Sequence, residues 1–403
     1  MPTARALSGA LALLLWLASA SPAAGRTYAV TTGRDLPDTD LLDPECVTTD
    51  DSLCSLRAAI QQANQTPEED TITLSGVTYA LTLSGTGEDD SATGDLDVTT
   101  PIVISGGSFA TTVIDGKKLK DRIFDVKPGG TLTLSGVTLE NGKNAKDDFD
   151  PGAPGQVSGG CLRSEGDVTL DGVFFFQCSS SGDGGCMSVI GGTASLSESI
   201  LGACKAKGEG GGLELTALGS ATLSRVTVFG CKAGNGGAIA ASGALTLLNG
   251  TLDGNKAKDG GGLVTLGSAA TTLNSSTLAS NGTSNLARQG SGPVTVSNSI
   301  LAYAKADCVG AITSAGGNLA DDTSCGFADT NDQQDLDPLL FPLFFYDGPI
   351  DVPTLALDQD SPAIDHGLDA SCELLDARGA PRDDVVDVGV ATCDSGSFEF
   401  QQP

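Results

Sequence analysis

Glycine pairs recur along this chain at a nearly fixed interval: pairs 159–160, 184–185, 211–212, 236–237 and 261–262 are separated by 25, 27, 25 and 25 residues. A period of that length marks stacked repeat units, each one a supersecondary element that cannot bury its apolar side alone. The segments between the pairs align as VTLDGVFFFQC (168–178), ASLSESILGAC (194–204), ATLSRVTVFGC (221–231), LTLLNGTLDGN (245–255) and TTLNSSTLASN (271–281). Each holds two short alternating strands around a polar corner, and the glycine pair opens a third strand. Strands of three to five residues are unstable in isolation. They persist when every strand pairs with its equivalent one coil away.

These features predict an all-β fold, a single right-handed parallel β-helix with coils over residues 71–304. Strand spacing of about 4.8 Å gives roughly nine or ten coils in a rod about 45 Å long. Alternation predicts two inward columns, Leu170, Leu196, Leu223, Leu247, Leu273 and Phe175, Leu201, Val228, Leu252, Leu278. The glycines serve corners where coils pass closely and φ is positive. No GxxxxGK[ST] pattern is present, so the glycines do not indicate a phosphate cradle.

One corner carries Cys178, Cys204, Cys231, Asn255 and Asn281 in successive coils. This column is read as a structural ladder of packed free thiols and hydrogen-bonded amides, with a disulfide between stacked neighbours as the alternative. Eleven cysteines are an odd number, so at least one lacks a partner within the chain. Cys46/Cys54, Cys308/Cys325 and Cys372/Cys393 are local couples near the ends, read as disulfides. A single histidine and no CxxC argue against structural zinc.

Both ends depart from the period. Residues 1–20 have Arg5, the apolar run LSGALALLLWLASA (7–20) and a small Ala18-Ser19-Ala20 site, the pattern of a secretory signal with cleavage between 20 and 25. In the segment 26–70, CSLRAAIQQANQT (54–66) predicts one helix capped by Ser55 and ended before Pro67, placed to plug the open end of the coils. Arg57 on it is expected to bond backbone carbonyls or carboxylates. Residues 305–403 read as an irregular C-terminal cap laid along the last coils, with His366 in a polar turn.

CSLRAAIQQAN resembles the CSLREA motif of exported bacterial β-helix proteins. The repeats, GGAI (236–239) among them, are similar to those of the polymorphic outer-membrane-protein and pectate-lyase-like superfamily. DPLL (337–340), SPAIDHG (361–367), DARGAPR (376–382) and CDSGSFE (393–399) resemble the choice-of-anchor Q domain. Ala58 departs from the Glu of the first motif, and Ser395 and Ser397 from the Ile and Ala of the last. The resemblance implies a β-helix secreted from a bacterium or held at its outer surface, and it implies no catalytic residues.

The chain is acidic, 51 Asp and Glu against 22 Lys and Arg for a formal charge of -29, which excludes unspecific nucleic-acid binding. Fifty-four glycines and 4% aromatic residues also disfavour a large globular core. Against that background Lys205, Lys207, Lys232, Lys256 and Lys258 recur beside one corner, so stacking predicts a narrow basic stripe for an anionic polysaccharide, or else a surface that keeps coils from pairing laterally. The expected function is a non-catalytic, monomeric binding or structural scaffold for an anionic glycan or cell-surface protein. The alternative is a polysaccharide lyase or glycoside hydrolase, although Arg225 reads as an ion pair with Glu198. No cofactor is required; calcium is the candidate metal, at Asp38, Asp40 and Asp43 in one acidic loop and Asp329, Asp332, Asp335 and Asp337 in another.

Overall fold

A computed structural model describes residues 24–49, 52–85, 87–144, 157–382 and 393–401. The leader expected over 1–20 lies outside the described residues. The fold is a right-handed parallel β-helix with three faces. A long-strand face stacks eleven strands from Thr27–Ala29 to Thr313–Ser314. A second face follows the glycine pairs and stacks nine, from Leu96–Val98 to Cys308–Val309. The third stacks eleven, from Thr78–Ala80 to Gln333–Gln334. The ladder therefore begins ahead of residue 71 and continues past 304.

Register follows the alternation. Leu170 pairs with Leu196, then Leu223, Leu247 and Leu273, while Phe175 pairs with Leu201, Val228, Leu252 and Leu278. All ten are buried. Because side chains alternate along a strand, a one-residue slip would turn both columns into solvent.

The glycine corners show which member of each pair does what. Gly184 has φ +61°, and a Cβ on Gly185 would collide with the Gly211 carbonyl of the next coil. The same two roles fall to Gly210 and Gly211 and to Gly260 and Gly261, so within the two triple-glycine runs the structural pair is the first two residues.

The cysteine column differs from the thiol ladder that the sequence predicts. Cys178 is bonded to Cys161 and Cys204 to Cys186, across 17 and 18 residues, so neither is a free thiol nor bonded to its stacked neighbour. Residues stacked in parallel strands point their Cβ atoms the same way, whereas a disulfide needs Cβ vectors that converge. Convergence occurs instead between the residue after the glycine pair and the corner residue that closes the same coil, with Cα atoms 5.5 and 5.4 Å apart. Cys231 is free and buried. Its coil opens with Gly212 where the others have Cys161 and Cys186, and burial pushes its thiol up to about 12. Beyond it the ladder is made of amides: Asn255 Nδ2 donates to Val228 O and Asn281 Oδ1, and Asn281 Nδ2 to Leu252 O and Asn285 Oδ1. Cys46–Cys54, Cys308–Cys325 and Cys372–Cys393 are bonded.

The helix Leu56–Ala63 closes the N-terminal end, with Ser55 Oγ accepting from Ala58 N and every residue of the helix buried. Arg57 is fully buried, 2.6 Å from Asp35 and bonded to the carbonyls of Ser91, Gly94 and Asp95. At the other end, residues 336–382 and 393–401 fold back beside the rod. Thr227 Oγ1 donates to Pro353 O, Ser397 joins Thr251, Thr277 and Thr354, and Arg382 reaches Asn249.

Candidate functional site

After each third-face strand the chain bends through a residue with positive φ (Gln177, Ala203, Gly230, Gly254), buries the column residue, and then sends a side chain outward. That outward file is Lys143, Ser179, Lys205, Lys232 and Lys256, held in register by parallel pairing from coil to coil. Lys207 and Lys258 form a second file, interrupted at Gly234, whose carbonyl accepts from Lys258 N. Lys205, Lys207, Lys232, Lys256 and Lys258 are all exposed, and none forms an ion pair with a described residue. Beside them lies a cavity of about 640 Å³ lined by Lys143, Ser179, Ser181, Lys205, Lys207 and Lys232. Like charges stacked in register repel one another. An external polyanion would relieve that repulsion.

A second charged site lies on the glycine-pair face, in coils nearer the N-terminus. The middle residue of each three-residue strand points out of the core there, giving in register Asp97, Asp125, Arg163, Ser188, Glu214, Ala240, Val264 and Ala287. Asp95, Asp97 and Asp125 bring one carboxylate oxygen each within 4.8 Å of one another, so together they could hold a metal ion. Lys127 Nζ already stands among them, 2.9 Å from Asp97, 2.8 Å from Asp125 and 2.6 Å from Asp89. Arg122 and Arg163 approach Asp125 at 3.0 and 2.9 Å. Burial raises the Asp125 carboxyl, but Arg122, Arg163 and Lys127 outweigh it and hold the group at about 2. Burial prevails at Asp97, which Lys127 only moderates, and its carboxyl sits at about 7. A metal ion would have to displace this tethered ammonium.

Further along the same column Ser188 donates to Glu214, whose carboxyl burial pushes up to about 7. None of these residues was singled out in the sequence as part of a site. The available signal was the repeated LDV and FDV at 96–98 and 124–126, in which an acid replaces the expected outward-facing small residue.

The two acidic loops lie at opposite ends of the ladder, and most of their carboxylates are engaged in local turns. Asp38 accepts from Asp40 N and Val47 N, Asp40 from Leu42 N, and Asp43 from Glu45 N. Asp329 accepts from Asn331, Asp332 from Asn318, and Asp337 from Tyr303 and Leu339. Asp335 occupies a positive-φ position in the second loop. Arg225 is 3.2 Å from Glu198. His366 is hydrogen-bonded to Ser395 in the tail, and burial lowers its pKa. No helix among the described residues is long and apolar enough to cross a membrane. No family model, curated protein or solved structure matches the chain.

Proposed function

We propose that the chain is an exported, non-catalytic scaffold that holds an anionic glycan along the lysine stripe. The observation that carries this reading is the in-register file of exposed lysines, unpaired with any described residue, on a molecule of formal charge -29. A file of Glu209, Asn235 and Asp259 stacks a few residues further round the coil and bounds the basic track on that side, which suits a linear polyanion aligned with the rod. Resemblance to choice-of-anchor Q and CSLREA proteins supports the outer-surface location. Among the described residues, the carboxylates of Asp95, Asp97 and Asp125 could hold calcium, in competition with Lys127.

Polysaccharide cleavage is the second reading, and Glu214 favours it, since a carboxyl held near neutrality is suited to general acid–base chemistry. A glycan array run with product analysis on the same protein separates the two. Binding without turnover, lost when Lys205, Lys232 and Lys256 are together changed to Gln, is the expected result. Release of shortened or unsaturated oligosaccharides, abolished by Glu214→Gln, would replace the scaffold with an enzyme.

A further inference from the structure

The lysine stripe has an aromatic neighbour. On the third face Phe175 points into the core, which turns Phe174 and Phe176 outward, and both remain half-buried beside Phe109 and Phe229. Ring centroids of Phe174 and Phe176 are 5.4 Å apart, and Phe109 meets Phe174 edge-on at 6.3 Å. Register places Phe176, Gly202 and Phe229 in one file across three coils. A Cβ added to Gly202 would lie 2.6 Å from the Phe229 ring and 3.3 Å from Phe174, so the rings close over the glycine from both sides. The result is an apolar platform on the surface of a chain with only 4% aromatic residues.

The platform and the stripe share a corner. Gly202 precedes Lys205, and Phe229 precedes Lys232, by three residues, and the exposed edge between them carries only Ala203 and Gly230, where Gly230 has open space around its Cα. The platform is bounded along its own file by Glu140 on one side and Asp253 on the other. An anionic group is repelled at both ends of the file and attracted only across the low corner. The C-terminal tail meets this face at Thr227 and Thr251, and Phe174, Phe176 and Phe229 each keep part of their surface accessible.

We infer that Phe174, Phe176 and Phe229 form a stacking platform for a pyranose ring of an acidic polysaccharide, whose acid group reaches across Ala203 and Gly230 to Lys205 and Lys232. This rests on the glycan-scaffold reading and adds a recognition element that charge alone does not provide. Aromatic faces present broad apolar area at small conformational cost, and sugar rings carry apolar C–H faces that match them. Lysines alone would accept any polyanion. The platform makes the site discriminate a polymer of rings from a polymer of extended backbone.

The test compares a polyuronate with poly-L-glutamate at equal ionic strength, by calorimetry on the full chain. Phe176→Ala and Phe229→Ala should each weaken polyuronate binding about two- to tenfold and leave poly-L-glutamate unchanged. Phe229→Trp should retain or tighten polyuronate binding, which guards against a trivial folding defect, and strand-rich circular dichroism should be the same for all variants. If the Ala variants bind polyuronate like the parent while Lys205, Lys232 and Lys256 changed to Gln weaken it, the platform is overturned and the stripe stands. Equal weakening of poly-L-glutamate by the Phe variants also overturns it, since the face would then accept an extended chain without rings. A parent that binds neither polymer overturns the platform and the glycan-scaffold reading together.

Discussion

The inner corner column has two halves that solve one problem with different chemistry. In the coils of Cys178 and Cys204 the corner is tied covalently to the start of its own coil. At Asn255 and Asn281 it is tied by amide hydrogen bonds to the coils on either side. The first arrangement closes a coil on itself, and the second joins coils to each other. Cys231, between them, does neither covalently, yet its thiol lies 3.7 Å from Leu201 O, matching the place where Asn255 Nδ2 meets Val228 O. Position in the coil therefore determines which backbone groups must be satisfied, and residue type decides how.

Asn281→Leu should do the most damage. It removes the partner of Leu252 O, Asn255 N and two side-chain amides in a fully buried site, at a cost of about 3–5 kcal/mol. Thermal unfolding of the variant should show it clearly. A loss below about 1 kcal/mol would mean that water replaces the ladder. Cys186→Ser with Cys204→Ser ranks next. A loop of that length predicts a loss of about 3 kcal/mol by the chain-entropy argument, and the change should act within one coil and leave the amide half untouched in hydrogen exchange.

A smaller effect distinguishes the halves by pH. The amide ladder continues from Asn285 to Asp307, at 2.8 Å, whose buried carboxyl is raised to about 8. A raised carboxyl pKa means that the folded state holds a proton that the unfolded state has released above its ordinary value near 4. Stability must then fall as pH rises from there towards 8, by up to about 1.4 kcal/mol per pH unit for one group. Asp97 and Glu214 act with the same sign in that window, so Asp307→Asn should make the slope between pH 6 and 7 shallower by about 1.4 kcal/mol per pH unit, and an unchanged slope would remove Asp307 as a source. The least disruptive change is Cys231→Asn, which extends the amide ladder by one coil. It should shift stability by less than about 1 kcal/mol, whereas a large loss would show that the two halves are not interchangeable at that position.

Much of this organisation is legible in the chain itself. Leu170 and Phe175 announce their columns because burial and alternation act locally, and Ser55 and Pro67 delimit the helix by backbone chemistry alone. The lysine file is legible for the same reason, since any residue at a fixed offset from a repeated corner must stack. Disulfide choice is not: Cys161 and Cys178 are 17 residues apart, and only the circumference of the coil shows that this distance closes a loop. The Asp95, Asp97 and Asp125 cluster is hidden because Asp95 and Asp97 come from one coil, Arg122, Asp125 and Lys127 from the next and Arg163 from the one after, and no single segment contains the constellation. The path of the tail over Thr251 and Thr277 depends on hydroxyl contacts more than 100 residues apart in sequence.

The salt dependence of polyuronate binding tests the stripe most directly. Exposed charges are screened over about 8–10 Å at moderate ionic strength, so the affinity of the parent should fall steeply as salt is raised. With Lys205, Lys232 and Lys256 changed to Gln, affinity at low salt should drop and the dependence on salt should become shallower, with melting temperature unchanged. Binding that ignores salt, or a slope that the three substitutions leave intact, would contradict the assignment of the lysine file as the glycan seat.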